Sequence, residues 1–321
     1  MQTKRFASKS IAKCYPFPCL NALDWEPSSK GFRVSIPLSS LEAGQMLVPC
    51  LSIPYSMTRF SVQLTDCSHD THNHWLISPG TAGHQEDHPS VSTHIDYFHI
   101  HQFLKEAILV VEIYSDVRPE NYLLVLALTQ SAPVPGVFNT ARKYLTTQLD
   151  LPSCSQMVES KALRDRICSP TCIQMLLEYH GLLDDRHSLI ADCFDSSVNL
   201  YGVWPVNINA ASKRGLIGAI ESFSEFKTVS SLLERNIPLI CSIRFDSGQL
   251  QNAPLDKTSG HLVILAGVGE HSVRVYDPAA NSPETVLRSY AINEFHNAWI
   301  DNNGIAYVLV PCDPGPAINV Q

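Results

Sequence analysis

The chain has 321 residues, 45% hydrophobic and 17% charged, with a formal net charge of -8. That balance belongs to a folded globular protein, and the length exceeds what one core comfortably serves, so two domains are expected. No basic stripe points to a nucleic-acid partner, and no apolar run is long enough for a transmembrane helix.

Residues 1–20 carry Lys4, Arg5, Lys9 and Lys13 without an acid, and lack the continuous apolar stretch of a secretory signal. A loosely docked or disordered terminus is expected there. Ten cysteines are scattered along the chain, with no compact disulfide framework and no paired zinc spacing. Free thiols and the lack of a signal sequence point to the cytoplasm. From residue 32 to 130 short apolar or alternating runs are broken by Pro and Gly: FRVSIPL (32–38), FSVQL (60–64), HWLI (74–77), ILVVEIYS (108–115) and YLLVLAL (122–128). These read as strands, and residues 1–130 as a β-rich, sandwich-like accessory domain. Eight of the thirteen histidines fall between His69 and His101 (His69, His72, His74, His84, His88, His94, His99 and His101). Their spacing fits no zinc motif, so a polar loop is expected and no metal. The stretch 129–139, with Pro133, Pro135 and Gly136, marks a turn or linker. A short helix follows, and 131–150 is read as linker plus helix.

The second half mixes helices and strands. TCIQMLLEYH (171–180) places Ile173, Leu176, Leu177 and His180 on one helical face, with Gly181 as its C-terminal cap. SLLERN (231–236) is a short helix, IPLICSIRF (237–245) a buried strand, and HLVILAGV (261–268) and VRVYD (273–277) two more strands joined by a tight turn. AINEFHNAWI (291–300) is an amphipathic helix and GIAYVLVP (304–311) a last strand. Helices followed by an antiparallel run give an α+β class.

Pro170 suits a first helical turn, which puts Cys168 at a helix N-terminus. The positive end of the helix dipole favours thiolate, the nucleophilic form. A cysteine that merely opens a core helix has the same sequence. Cys172, one turn on, reads as core. His180 sits twelve residues along the same helix, about 18 Å away, and cannot serve Cys168. His261 opens an apolar strand, as a site residue or a satisfied core histidine. A hairpin centred on residue 269 sets Asp277 opposite His261; the plainer reading of Asp277 is a turn residue before Pro278. Gln156 is a polar loop residue that could supply an amide to an oxyanion.

Together these segments resemble the C39-type cysteine peptidases of papain-like architecture, in their bacterial C39-like branch. The resemblance is carried by SQM (155–157), CSPTCIQMLLEYHG (168–181), YGVWPVNINAASKRG (201–215), IPLICSIRF (237–245), SGHLVILAGV (259–268), VYDPAA (275–280) and VLRSYAINEFHNAWI (286–300). It covers 151–312, with 313–321 as a tail, and SVSTHIDYFHI (91–101) resembles the region preceding such domains. It implies Cys168 as nucleophile, His261 as base, Asp277 as orienting acid and Gln156 as oxyanion donor, a peptide or protein substrate, and no cofactor. Well-studied members cleave leader peptides after a double glycine within transporters; no transporter segment is seen here, so that substrate does not carry over. Trp204 is a candidate to line a substrate groove, against the commoner role of a core aromatic. Acyl transfer, or a binding module with an idle triad, are the alternatives.

Overall fold

The computed structural model describes residues 3–67, 73–80, 88–129, 148–182 and 184–313. The linker and helix expected at 131–150 therefore lie almost wholly outside the described residues, as do His69, His72 and His84.

In chain order the N-terminal half comprises β1 (Lys4–Ala7), α1 (Ile11–Cys14), β2 (Glu26–Ser28), β3 (Gly31–Leu38), β4 (Met46–Ser52), β5 (Phe60–Asp66), β6 (His74–Ile77), β7 (Val91–Thr93), β8 (Phe98–Ile100), β9 (Ala107–Ile113) and β10 (Leu123–Leu128). The second half comprises α2 (Cys168–Tyr179), α3 (Arg186–Asp192), α4 (Trp204–Lys213), β11 (Leu216–Ser222), α5 (Phe226–Leu233), β12 (Leu239–Phe245), β13 (Thr258–Val268), β14 (Ser272–Tyr276), β15 (Leu287–Ala291), α6 (Ile292–Trp299) and β16 (Ile305–Pro311). The architecture is mixed, mostly antiparallel sheet with six α-helices among the described residues.

The described residues form three sheets, ordered β1-β10-β4-β8-β7, β2-β3-β9-β5-β6 and β11-β16-β12-β13-β14-β15. Alternation decides how they stack, because successive side chains leave a strand on opposite faces. In β10, Leu124, Leu126 and Leu128 join Val34, Leu64, Trp75 and Val111 of the second sheet in one apolar cluster. Leu123, Val125 and Ala127 face the other way and join a core that includes Cys172, Ile173, Leu216 and Val308. The first sheet is covered on both faces, which is why all six residues of β10 are buried. Such strands read as continuous apolar runs rather than alternating ones.

The N-terminus corrects the expectation of a loose end. β1 pairs with β10, Arg5 opposite Val125. Ile11 and Tyr15 are buried in the second core. Arg5 donates two hydrogen bonds to Glu221 on β11, at 2.7 and 2.6 Å, and the Tyr15 hydroxyl donates a third at 2.9 Å. The four basic residues gave no hint of this, because the acid that pairs with Arg5 is far along the chain.

Candidate active site

α2 begins at Cys168 itself, so Pro170 is its third residue rather than its first. The difference costs nothing, since N–H groups of the first turn have no partner inside the helix. Ser169, buried, pairs its hydroxyl with that of Tyr307 on β16 at 3.0 Å and pins the helix start to the sheet. Gly181, at φ +70°, ends the helix just past its last turn. The helix lies against β13, where the Cys172 thiol donates to the Leu262 carbonyl at 3.4 Å.

His261 is the next residue back along β13. It stands opposite Ile243 of β12 and is 3% exposed. Its Nε2 bonds Asp277 Oδ1 at 2.8 Å. That leaves Nδ1 to meet the Cys168 thiol, with which the ring is hydrogen-bonded. Asp277, 1% exposed, has both oxygens occupied. Oδ1 also accepts from the Ala279 N–H at 3.0 Å, and Oδ2 accepts from the Tyr290 hydroxyl at 2.8 Å.

The hairpin that joins His261 to Asp277 differs from the one the sequence suggested. Val268 pairs with Val273, so the turn is centred beyond residue 269. On that register alone Asp277 would project from the face opposite to His261. A bulge at Ala266 intervenes, and beyond it Leu265 pairs with Val275 and Ile264 with Tyr276. Asp277, next in line, then falls beside Val263 on the face His261 shares, as a diagonal rather than a direct neighbour. Re-aiming side chains is what one extra residue in a ladder does.

The charges support one another. Burial would raise the Cys168 thiol, but the bond and charge of His261, with the N–H groups of Leu262 and Ser169, hold it below its ordinary value. Burial would lower His261; the Asp277 carboxylate, joined by Cys168, lifts it to about 10. Burial would raise Asp277; His261, Tyr290 and the Ala279 N–H hold it low. Cys172, fully buried one turn away, is pushed well above the usual thiol range by burial and by Cys168. Cys154 is raised to about 11, by burial and then by Glu178. Of these three thiols, Cys168 alone is favoured as thiolate, and it is only part-buried.

Gln156 stands in a single turn whose backbone N–H donates to the Pro278 carbonyl at 2.8 Å, so it is tied to the loop carrying Asp277. Its Nε2 donates to the Arg164 carbonyl at 2.6 Å, and its Oε1 is buried without a partner among the described residues. Trp204 opens α4, part-buried, and stacks on Tyr97 of the N-terminal half at 6.2 Å. No group of three metal-ligating side chains occurs among the described residues.

The sequence reading missed Tyr290, Ser169 and Tyr307. Tyr290 lies on β15 opposite Val273, and its long phenol reaches along the face to Asp277. The strand LRSYA carries no clear alternation, so the sequence held no local signal for that contact.

The family model of the Peptidase_C39 like family matches residues 148–307. This region belongs to that family. The match spans Cys168, His261, Asp277, Gln156 and Trp204, and it points to cysteine peptidase activity. Among solved structures, the chain is similar to a double glycine motif protease from an AMS/PCAT transporter, crystallised with its leader peptide: 18% identity, 52% of this chain and 97% of that one, TM-score 0.36. It is also similar to a protein described as a C39-like peptidase from Bacillus anthracis, at 18% identity over 53% of this chain and 97% of that one, TM-score 0.40. No curated protein gives a significant match. No helix among the described residues is long and apolar enough to cross a membrane.

Proposed function

We propose that this chain is a cysteine peptidase acting on a peptide or amide bond, with Cys168, His261 and Asp277 as its triad. The observation that carries the reading is the buried His261–Asp277 pair at 2.8 Å whose other ring nitrogen meets a thiol at a helix start. A base oriented by a third group is the arrangement an activated nucleophile requires. Residues 1–130 form a sandwich-like accessory domain in this proposal, and 151–312 the peptidase domain.

The Cys168 thiolate attacks the scissile carbonyl and a tetrahedral oxyanion forms. The Cys168 backbone N–H, free in the first helical turn, and the Gln156 amide donate to it. The bond to Arg164 orients the Gln156 amide and uses one of its two N–H groups. The His261 imidazolium returns a proton to the leaving amine, the C–N bond breaks, and an acyl-thioester remains. Water, deprotonated by His261, attacks the thioester and releases the acid and the thiol. Asp277 keeps the ring oriented throughout and balances its charge.

The test is the alkylation rate of Cys168 by iodoacetamide across pH, in wild type and in His261→Ala, with the labelled site identified by mass spectrometry. Wild type is expected to label quickly at pH 6 and the variant slowly, rising only towards the pKa of an ordinary thiol, about 8.5. A profile unchanged by the substitution overturns the triad. Cys168→Ala is expected to abolish peptide cleavage and to keep the wild-type fold.

A further inference from the structure

Gln156 does not share an element with Cys168. It opens a single turn, Gln156–Val158, too short to hold its place by its own hydrogen bonds. The turn is held from outside. On one side it is tied to the loop that carries Asp277. The Gln156 N–H donates to the Pro278 carbonyl at 2.8 Å, and the buried Ser155 hydroxyl donates to the Ala280 carbonyl at 2.5 Å while accepting the Met157 N–H at 3.0 Å. The Gln156 side chain has one anchor, Nε2 to the Arg164 carbonyl at 2.6 Å, and its buried Oε1 meets no donor among the described residues. The direction of that amide therefore depends on how firmly the backbone of the turn is held.

Arg186 supplies the hold on the other side. Its Nε donates to Glu159 Oε1 at 2.7 Å, and its Nη2 donates to the Ser155 carbonyl at 3.2 Å. Ser155 precedes the turn and Glu159 follows it, so one guanidinium spans both ends. The Arg186 and Glu159 side chains are 21% and 15% exposed, which leaves little solvent to screen the pair. Arg186 opens α3, where the helix dipole disfavours a cation. Its charge serves the neighbouring turn rather than its own helix. α3 is a fixed mount for it: the Asp185 carboxylate accepts the Ser188 N–H at 2.7 Å, and Leu189 and Ile190 are buried.

We propose that Arg186 is a positioning residue for the oxyanion site: by bracing Ser155 and Glu159 it fixes the Gln156 turn, and with it the direction of the Gln156 amide. A planar fork with donors on separate nitrogens braces both ends at once, whereas a lysine ammonium keeps the charge without the span. Such bracing matters because an oxyanion donor is effective when it is in place before charge develops. The inference rests on the peptidase reading above, in which Gln156 is that donor.

The experiment compares two reactions of Cys168. Acylation by p-nitrophenyl acetate passes through a tetrahedral oxyanion: the thiolate adds to the ester carbonyl, p-nitrophenolate leaves and an acetyl thioester remains. Alkylation by iodoacetamide displaces iodide at a saturated carbon and forms no oxyanion. The p-nitrophenolate burst, less that of Cys168→Ala, and the alkylation rate at Cys168 are measured for wild type, Gln156→Ala, Arg186→Gln, Arg186→Lys and the double variant Gln156→Ala/Arg186→Gln. Gln156→Ala is expected to slow acylation about a hundredfold. Arg186→Gln and Arg186→Lys are each expected to slow it about tenfold. All three single variants should alkylate at the wild-type rate. The double variant is expected to acylate no slower than Gln156→Ala, because Arg186 acts through that amide. Wild-type acylation in Arg186→Gln overturns the proposal, as do equal losses of acylation and alkylation, or losses that multiply in the double variant. If Arg186→Gln does not fold, Arg186→Lys decides: slowed acylation with alkylation kept upholds the brace, and wild-type acylation overturns it, since charge alone then suffices. Each of these failures, with Gln156→Ala still slow, leaves the peptidase reading intact. A Gln156→Ala chain that acylates at the wild-type rate refutes the oxyanion role of Gln156, and this inference with it.

Discussion

Asp277 is surrounded by donors in a way that sets its response to acid. Its carboxylate accepts from His261, Ala279 and Tyr290 inside the core. Its folded pKa is therefore depressed below 3.8 despite burial. A depressed carboxylate contributes stability above its unfolded pKa, and that contribution is lost as pH falls through the folded one. Tyr290→Phe removes one of the three donors and nothing else of the ring. A buried acceptor left short of a partner costs about 1–3 kcal/mol. Calorimetry from pH 7 to pH 3 is expected to show a Tm below wild type near neutrality, with the gap narrowing as pH falls past the unfolded carboxylate value, because a less depressed Asp277 has less stability to lose in acid. His261 has the opposite sign. Raised from 6.5 to about 10, it contributes fully below 6.5 and fades as pH rises towards 10. At this scale the sequence showed Cys168, His261 and Asp277, because a helix start and two strand ends are local patterns. It could not show Tyr290, whose bond to Asp277 depends on a third strand packing beside the hairpin.

Between residue and molecule stands the β13–β14 hairpin. The sequence reading set His261 directly opposite Asp277 about a centre at residue 269, but the ladder places them diagonally. The face came out the same because the turn is displaced and the Ala266 bulge takes one residue of that displacement back. Periodicity of two makes such an offset decisive: an odd shift reverses a side chain, an even one does not. Inserting one alanine between Val275 and Tyr276 should move Asp277 one place along the ladder, beside Leu262 instead of Val263, and turn it to the face opposite His261. The expected result is a folded, less stable chain whose Cys168 alkylates at pH 6 as slowly as His261→Ala. Retention of fast alkylation would show that the alternation of this ladder does not set the face of Asp277. Other elements were legible for plain reasons. FSVQL, HWLI and YLLVLAL are compact apolar runs, and they became β5, β6 and β10. The strand MLVPCLS was passed over because Pro49 interrupts it. Pro49 is tolerated in β4 because β8 pairs only with Met46 and Leu47 and leaves that edge open further along. α4 went unrecognised as well, since Pro205 and two asparagines obscure its helical pattern, although Pro suits the first turn.

For the molecule as a whole, the first sheet serves two cores at once, and the N-terminal residues close it. β1 forms the outer edge, and Arg5 reaches across to Glu221, a carboxylate only 2% exposed on β11 of the other half. The field of that ion pair is shared by Tyr15, which bonds the same carboxylate. A basic terminus reads as a solvated tail until its acid is known, and nothing near residue 5 in the sequence indicates residue 221. Removing one partner of a buried pair leaves the other charged and unpaired, which costs about 3–5 kcal/mol. Arg5 is 20% exposed, so the lower end of that range applies to Arg5→Ala. Urea unfolding is expected to show that loss. Combining Arg5→Met with Glu221→Met should recover most of it, because replacing both partners by apolar groups removes the buried charge as well. If Arg5→Ala unfolds at the wild-type midpoint, β1 is not holding the halves together. If it unfolds early and Cys168 still alkylates rapidly below that midpoint, the N-terminus secures the assembly without shaping the thiolate.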